Sequence, residues 1–226
     1  MRLREIDLLR GIAIILVIVG HSFILHPVNI HDVSWCLNTF NWIYTFHMEL
    51  FFLLAGCVYH CVNYKKFFRK KVDRILVPYL LFGLISMVLA ASSIGAVNRH
   101  LSWMDGINKL FFHGGEYWFL YVLFIIFAIY PLIERIILKG WQKVLLITVL
   151  MILPNLVSLP SLFMIKVVAY QLPYFIIGVM VAKHLGDLRE IKCHYAIVAS
   201  LFSIGLYAVT EPKIGVGGGI LCHSDI

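Results

Sequence analysis

The sequence predicts an all-α fold, a polytopic bundle of about seven transmembrane helices with its N-terminus on the cytoplasmic side. Three observations predict it. Apolar residues make up 61% of the 226-residue chain and charged ones only 14%, with a mean hydropathy of +0.89; soluble domains sit nearer half apolar and a quarter charged. The apolar residues gather into runs long enough to cross a hydrocarbon core of about 30 Å. Lys and Arg fall mostly on one side of those runs, the bias that orients membrane helices. In a soluble chain, 19 bases against 12 acids would point to nucleic acid; here the excess reports cytoplasmic loops and no nucleic-acid partner.

The first run, residues 8–25, is apolar over 18 positions except for Arg10, His21, Ser22 and two glycines. A plain anchor has no use for an Arg and a His at such depth, since each costs free energy there unless it faces a polar interior. The two are 11 positions apart. At about 100° per residue they share one helix face, separated along the axis by about 16 Å. A second reading stands beside this one: Arg10 snorkels to the headgroups and His21 is capped at the far interface. Arg2 and Arg4 give the segment the look of a signal peptide, but no small-x-small cleavage site follows. It reads as a retained signal anchor.

The remaining elements follow in order. Residues 26–38 hold no Lys or Arg and read as an extracytoplasmic loop. The second span is 40–60, and a basic cluster comes after it: Lys65, Lys66, Arg69, Lys70, Lys71 and Arg74. The third span is 75–97, with a polar loop over 98–116. The fourth is 117–138, kinked at Pro131; 139–143 form a turn; the fifth is 144–159, interrupted by Pro154. The sixth is 166–183, with a break expected at Pro173, and the seventh is 193–209. Residues 1–210 thus form one domain, and 211–226 a Gly-rich tail too short to add a span. With the N-terminus inside, 15 bases lie on the cytoplasmic side and 4 outside, which fixes that orientation.

Five cysteines show no metal spacing, and no metal site is expected. Cys57 and Cys61 would share a helix face as buried thiols, and a Cys36–Cys222 bridge is conceivable from location alone. His100 and Asp105 fit the His-x-x-x-x-Asp pattern of soluble glycerolipid acyltransferases, but none of that family's other motifs occurs, so the match reads as chance.

The opening phrase DLLRGIAIILVIVGHS resembles the first helix of acyltransferase family 3, in which an Arg, ten residues and a His share the helix. Further segments are similar to that family. FHMELFFLLAGCVY follows its FHMPLFF segment, with Glu49 where proline is usual and Ala55 where serine is usual. RKKVDRILVP follows its arginine-rich entry to the third helix, EYWFLYVLF its WFL segment, and QLPYFIIG a later helix. The resemblance implies a membrane enzyme that moves an acyl group, usually acetyl, from acyl-coenzyme A to a hydroxyl of an extracytoplasmic glycan or lipid-linked sugar. Its setting would be the inner or plasma membrane, crossed several times, with lipid, acyl-CoA and the acceptor as partners and no permanently bound cofactor. Members usually carry about ten helices, so the resemblance also implies that the family's last third is missing here.

Acyl transfer from a thioester to a hydroxyl needs a base near the acceptor oxygen, and histidine titrates near neutrality. Coenzyme A needs cations for its phosphates, which arginine grips through forked bonds. On the resemblance, His21 is the base and Arg10, Arg69 and Arg74 hold the donor, whose pantetheine arm is comparable in length to the gap between Arg10 and His21. Read without the resemblance, the basic cluster is a topology determinant that contacts headgroups. His47 and Glu49 lie where lipid forbids charge and should face the interior, yet two positions apart they point about 200° from each other and form no dyad. His47 reads equally as a hydrogen-bonded structural histidine. Trp118 is either pore-facing or part of an interfacial belt, and Gln171 would satisfy the backbone group freed at Pro173. Gly56 would let another helix approach closely. A non-enzymatic transporter or pore, with Arg10, His21, His47 and Glu49 along its path, is the competing reading, although no inverted repeat is visible. An inactive truncated fragment is the third.

Overall fold

A computed structural model describes residues 4–22, 34–92, 103–136, 140–157 and 162–188. The described residues are helical, without strands. The elements are α1 (Arg4–Ser22), α2 (Ser34–Cys57), α3 (Tyr64–Lys71), α4 (Val77–Ser92), α5 (Trp103–Phe112), α6 (Trp118–Ile136), α7 (Gly140–Leu156) and α8 (Ile165–Leu188). Three continuous helical stretches, Tyr64–Leu89, Trp118–Ile136 and Leu162–Ala182, are long and apolar enough to cross a membrane. Long apolar side chains such as Leu81, Phe82, Leu89, Leu145 and Ile152 stand exposed on the outer surface, as helices bathed in lipid require.

The core is built by α2, α6 and α8, with Phe52, Val122, Ile126, Phe127, Tyr130, Phe175 and Ile176 all nearly inaccessible. Closest approach is between α2 and α8. A Cβ on Gly56 would strike the Phe175 carbonyl, and a Cβ on Gly178 would strike the Leu53 carbonyl. Reciprocal glycines let the two backbones touch, as small residues do where lipid supplies no hydrophobic drive between helices. Helix α1 lies at the edge. Its buried positions, Ile6, Ala13 and Gly20, recur every seven residues and turn toward α2, while Leu8, Ile12, Ile15 and Ile18 face outward.

Between α3 and α4 the chain does not break. A single π turn, Val72–Leu76, joins them, with the Val77 amide bonded to the Val72 carbonyl. Pro78 supplies the cause. It has no N–H for the Arg74 carbonyl four residues back, and its ring would clash there in a regular α-helix. Widening the turn relieves the clash.

Several boundaries differ from those the sequence predicts. α2 begins inside the expected outer loop and ends before Cys61, so Cys57 and Cys61 do not share a helix; both are half-buried. Cys36 is a buried free thiol among the described residues; Cys222, its conceivable partner, lies outside them. The predicted loop 98–116 contains α5, docked through Leu110 into the space left by Gly83 and ended by Gly114 and Gly115 at positive φ. Its ten residues, Asp105 and Lys109 among them, are too short and too polar to read as a span. The predicted turn 139–143 holds the first residues of α7, and Lys143 is buried there. Neither Pro154 nor Pro173 interrupts its helix. The predicted seventh span, the tail and the His100 half of the decoy lie outside the described residues.

Candidate functional site

The polar residues of the bundle collect at two ends and one midpoint. At one end stands His21, on the last turn of α1. Its Nδ1 lies 2.9 Å from the Val17 carbonyl, and its ring is 6.3 Å from that of Tyr44. Tyr44 in turn meets His47 edge-on at 4.7 Å, and the His47 Nδ1 lies 2.8 Å from the Ile43 carbonyl. A carbonyl only accepts, so each Nδ1 carries a proton, and in the neutral form of each ring Nε2 is the acceptor. The two imidazoles interact electrostatically. They differ in access: His21 is exposed, whereas His47 is 1% exposed.

The opposite end of α1 carries Arg10. It is half-buried and pairs with Asp7 one turn back at 3.9 Å, a contact worth little at such exposure. Across from it come the bases of α3 and the π turn. Lys71 is half-buried, with its ammonium 3.5 Å from the centre of the Phe127 ring and 5.1 Å from that of Phe67. Arg10 and Arg74 both lie within electrostatic reach of that ammonium. Arg10 also reaches Cys57 at the end of α2. Among the described residues no carboxylate forms an ion pair with Lys71 or Arg74. Arg69 and Arg74 are exposed. The structure therefore gathers Arg10 with Arg74, adds Lys71 to them, and keeps Arg69 on the outer surface of the same helix.

Midway, Glu49 leaves α2 on the side opposite α1. The Gln171 side chain of α8 hydrogen-bonds it, and Tyr174 is close by. One oxygen of each partner, Oε2 of Glu49 and Oε1 of Gln171, is buried without a partner. His47 and Glu49 are thus separate, as their spacing requires, and Gln171 serves Glu49 instead of the backbone freed at Pro173. Trp118 opens α6, half-buried against the core. A small cleft opens between α4, α5 and α6, where the Ser86 and Tyr117 hydroxyls are 3.2 Å apart; none of the predicted site residues lines it.

Three features escape a reading of the sequence by spans. Tyr44 sits three residues before His47, a spacing that places both on one face, and it ties the two histidines together. Lys71 looks like one base among six until its ring partners are seen. A third group, Tyr59, Glu134 and Lys143, ties the turn after α2 to α6 and α7: the Tyr59 hydroxyl donates to Glu134 at 3.0 Å, and Lys143 lies 3.7 Å from the other carboxylate oxygen.

The model of the family described as an acyltransferase domain, acyltransferase family 3, matches residues 3–211. The chain belongs to that family. Its membership and its apolar helices make it a membrane protein. It is similar to nodulation protein NolL of Sinorhizobium fredii, 27% identical over 187 residues, which cover 80% of this chain and 49% of NolL. The chain thus spans about half the length of that curated relative. No solved structure matches it.

Proposed function

We propose that this family member is a multi-pass acyltransferase of the inner or plasma membrane. It takes an acyl group, acetyl by preference, from coenzyme A on the cytoplasmic side and delivers it to a hydroxyl of an extracytoplasmic glycan or lipid-linked sugar. The observation that carries the reading is the division of α1 between two chemistries: cations from two segments converge at its Arg10 end, and a basic imidazole nitrogen is presented at its His21 end. The charge count, 15 bases to 4, puts the Arg10 end in the cytoplasm. That count takes the apolar runs as about seven spans.

Arg10, Arg69 and Arg74 hold the phosphates of the donor, and its arm runs along α1 over the roughly 16 Å that 11 residues provide. The Nε2 lone pair of His21 takes the proton of the acceptor hydroxyl as that oxygen attacks the thioester carbonyl. The new C–O bond forms, the C–S bond breaks, and coenzyme A leaves as the thiolate, which is reprotonated. His47 is too enclosed to meet an acceptor. Its place beside Tyr44 makes it a support for the ring that faces His21.

The test uses radiolabelled acetyl-coenzyme A with inside-out membrane vesicles from cells making the full chain. Wild type should move label to an acceptor protected inside the vesicle. His21→Ala should insert normally and lose transfer by at least about a hundredfold, the contribution of a positioned base. Transfer that survives in His21→Ala removes His21 from the role, and label uptake without covalent transfer favours a pore.

A further inference from the structure

We infer that Lys71, a base among six in the sequence, is the inner cation of the donor site and binds the pyrophosphate of acyl-coenzyme A, leaving the 3′-phosphate to Arg69 and Arg74. The inference rests on the donor reading above and deepens it.

Depth is the first argument. Arg69 and Arg74 are exposed, whereas Lys71 and Arg10 are half-buried. Coenzyme A has a fixed order of parts: the 3′-phosphorylated adenosine, then the pyrophosphate, then the pantetheine arm with the thioester. A donor that enters arm first must leave the 3′-phosphate outermost and the pyrophosphate one step further in. The exposed pair of arginines matches the outer phosphate and the half-buried pair of cations the inner one.

Electrostatics is the second. Lys71 is within reach of two other cations, Arg10 and Arg74. Gathering three like charges costs free energy unless an anion joins them. Among the described residues, Asp73 lies exposed in the same turn without an ion pair to Lys71 or Arg74, and Asp7 is loosely held by Arg10 at 3.9 Å. What holds Lys71 in place meanwhile is the π face of Phe127, with Phe67 beside it. A ring face steadies an ammonium without neutralising it, so the charge remains available to a phosphate. Phe127 belongs to the buried core and Phe67 packs against it, and this fixes the position of the ammonium. Lysine also suits the place, because three rotatable donors on a compact charge can serve two phosphates in turn.

Binding of acetyl-coenzyme A and of its 3′-dephospho analogue to the full chain in lipid nanodiscs tests this without needing the acceptor. Lys71→Met should weaken both ligands by the same factor, about 10- to 100-fold, the loss of one charged hydrogen bond. Lys71→Arg should restore most of the binding, which separates lost charge from lost folding. Arg69→Met should weaken acetyl-coenzyme A and leave the dephospho analogue unchanged. If wild type binds and Lys71→Met binds both ligands equally well, the inference fails and the donor reading stands. A loss confined to acetyl-coenzyme A would overturn the assignment to pyrophosphate. If wild type binds neither ligand, the donor reading itself falls.

Discussion

Single side chains in this bundle matter most where lipid and packing together exclude water, and Glu49 with Gln171 is the clearest case. Each has one bonded and one unpartnered polar group in the packed face between α2 and α8. An orphaned buried oxygen costs about 1–3 kcal/mol, so the pair persists at a cost. Glu49→Gln would offer an N–H to the Gln171 oxygen and should hold or raise Tm. Glu49→Leu would strand the Gln171 amide and should lower stability by about 1–3 kcal/mol, which is roughly 2–12 °C in a chain of this size. Thermal unfolding in detergent reads both. If Leu is tolerated as well as Gln, the hydrogen bond contributes nothing to the fold. The histidines illustrate a different lesson at the same scale. Both bond their own helix one turn back, and only exposure tells a candidate base from a support. Exposure is not written in a spacing of residues.

At the scale of elements, the existence of most helices was legible in the sequence, because runs of apolar residues have few other fates in a membrane. Their ends were not. Pro154 and Pro173 read as breaks, yet both helices pass through; neighbouring helices tolerate a lost backbone bond there. Pro78 has the larger effect, since it sits four residues after Arg74 and drives the π turn, but a π turn has no signature beyond that proline. α5 was missed because it is short and carries Asp105 and Lys109, which read as loop. The site divided in the same way. Arg10 and His21 stand out as polar groups within an apolar run and Arg74 through the resemblance, whereas Lys71 takes its meaning from Phe127 far along the chain and Tyr44 from His21 on another helix. Packing of α2 on α8 makes a prediction of its own. Gly56→Ala and Gly178→Ala would each drive a methyl into an opposing carbonyl, and each should destabilise by about 1–3 kcal/mol as overpacking does. Gly11→Ala meets nothing within 4 Å and should gain up to about 1 kcal/mol of helix stability. Equal Tm values for all three would mean that α2 and α8 do not meet at those glycines.

For the whole molecule the decisive question is which end faces the cytoplasm, because donor and acceptor chemistry are assigned by end. The converging cations, the Tyr59–Glu134–Lys143 group and the start of α3 lie at one end, while His21, α5 and the start of α6 lie at the other. Helices that alternate direction carry that division through the described residues, and on the seven-span reading of the sequence the bases would follow it 15 to 4. Each Lys or Arg retained beside an anionic inner leaflet gains about 1 kcal/mol, so an excess of this size leaves little room for a mixed orientation. A reporter active only in the cytoplasm, fused after residue 63, should be active, and the same reporter fused after residue 115 should be silent; a reporter active only outside should give the opposite pattern. Reversal of both pairs would put the cations outside, away from any cytoplasmic acyl-coenzyme A. His21 would then face inward, and the imidazole and arginines of α1 would need a different chemistry from the one proposed.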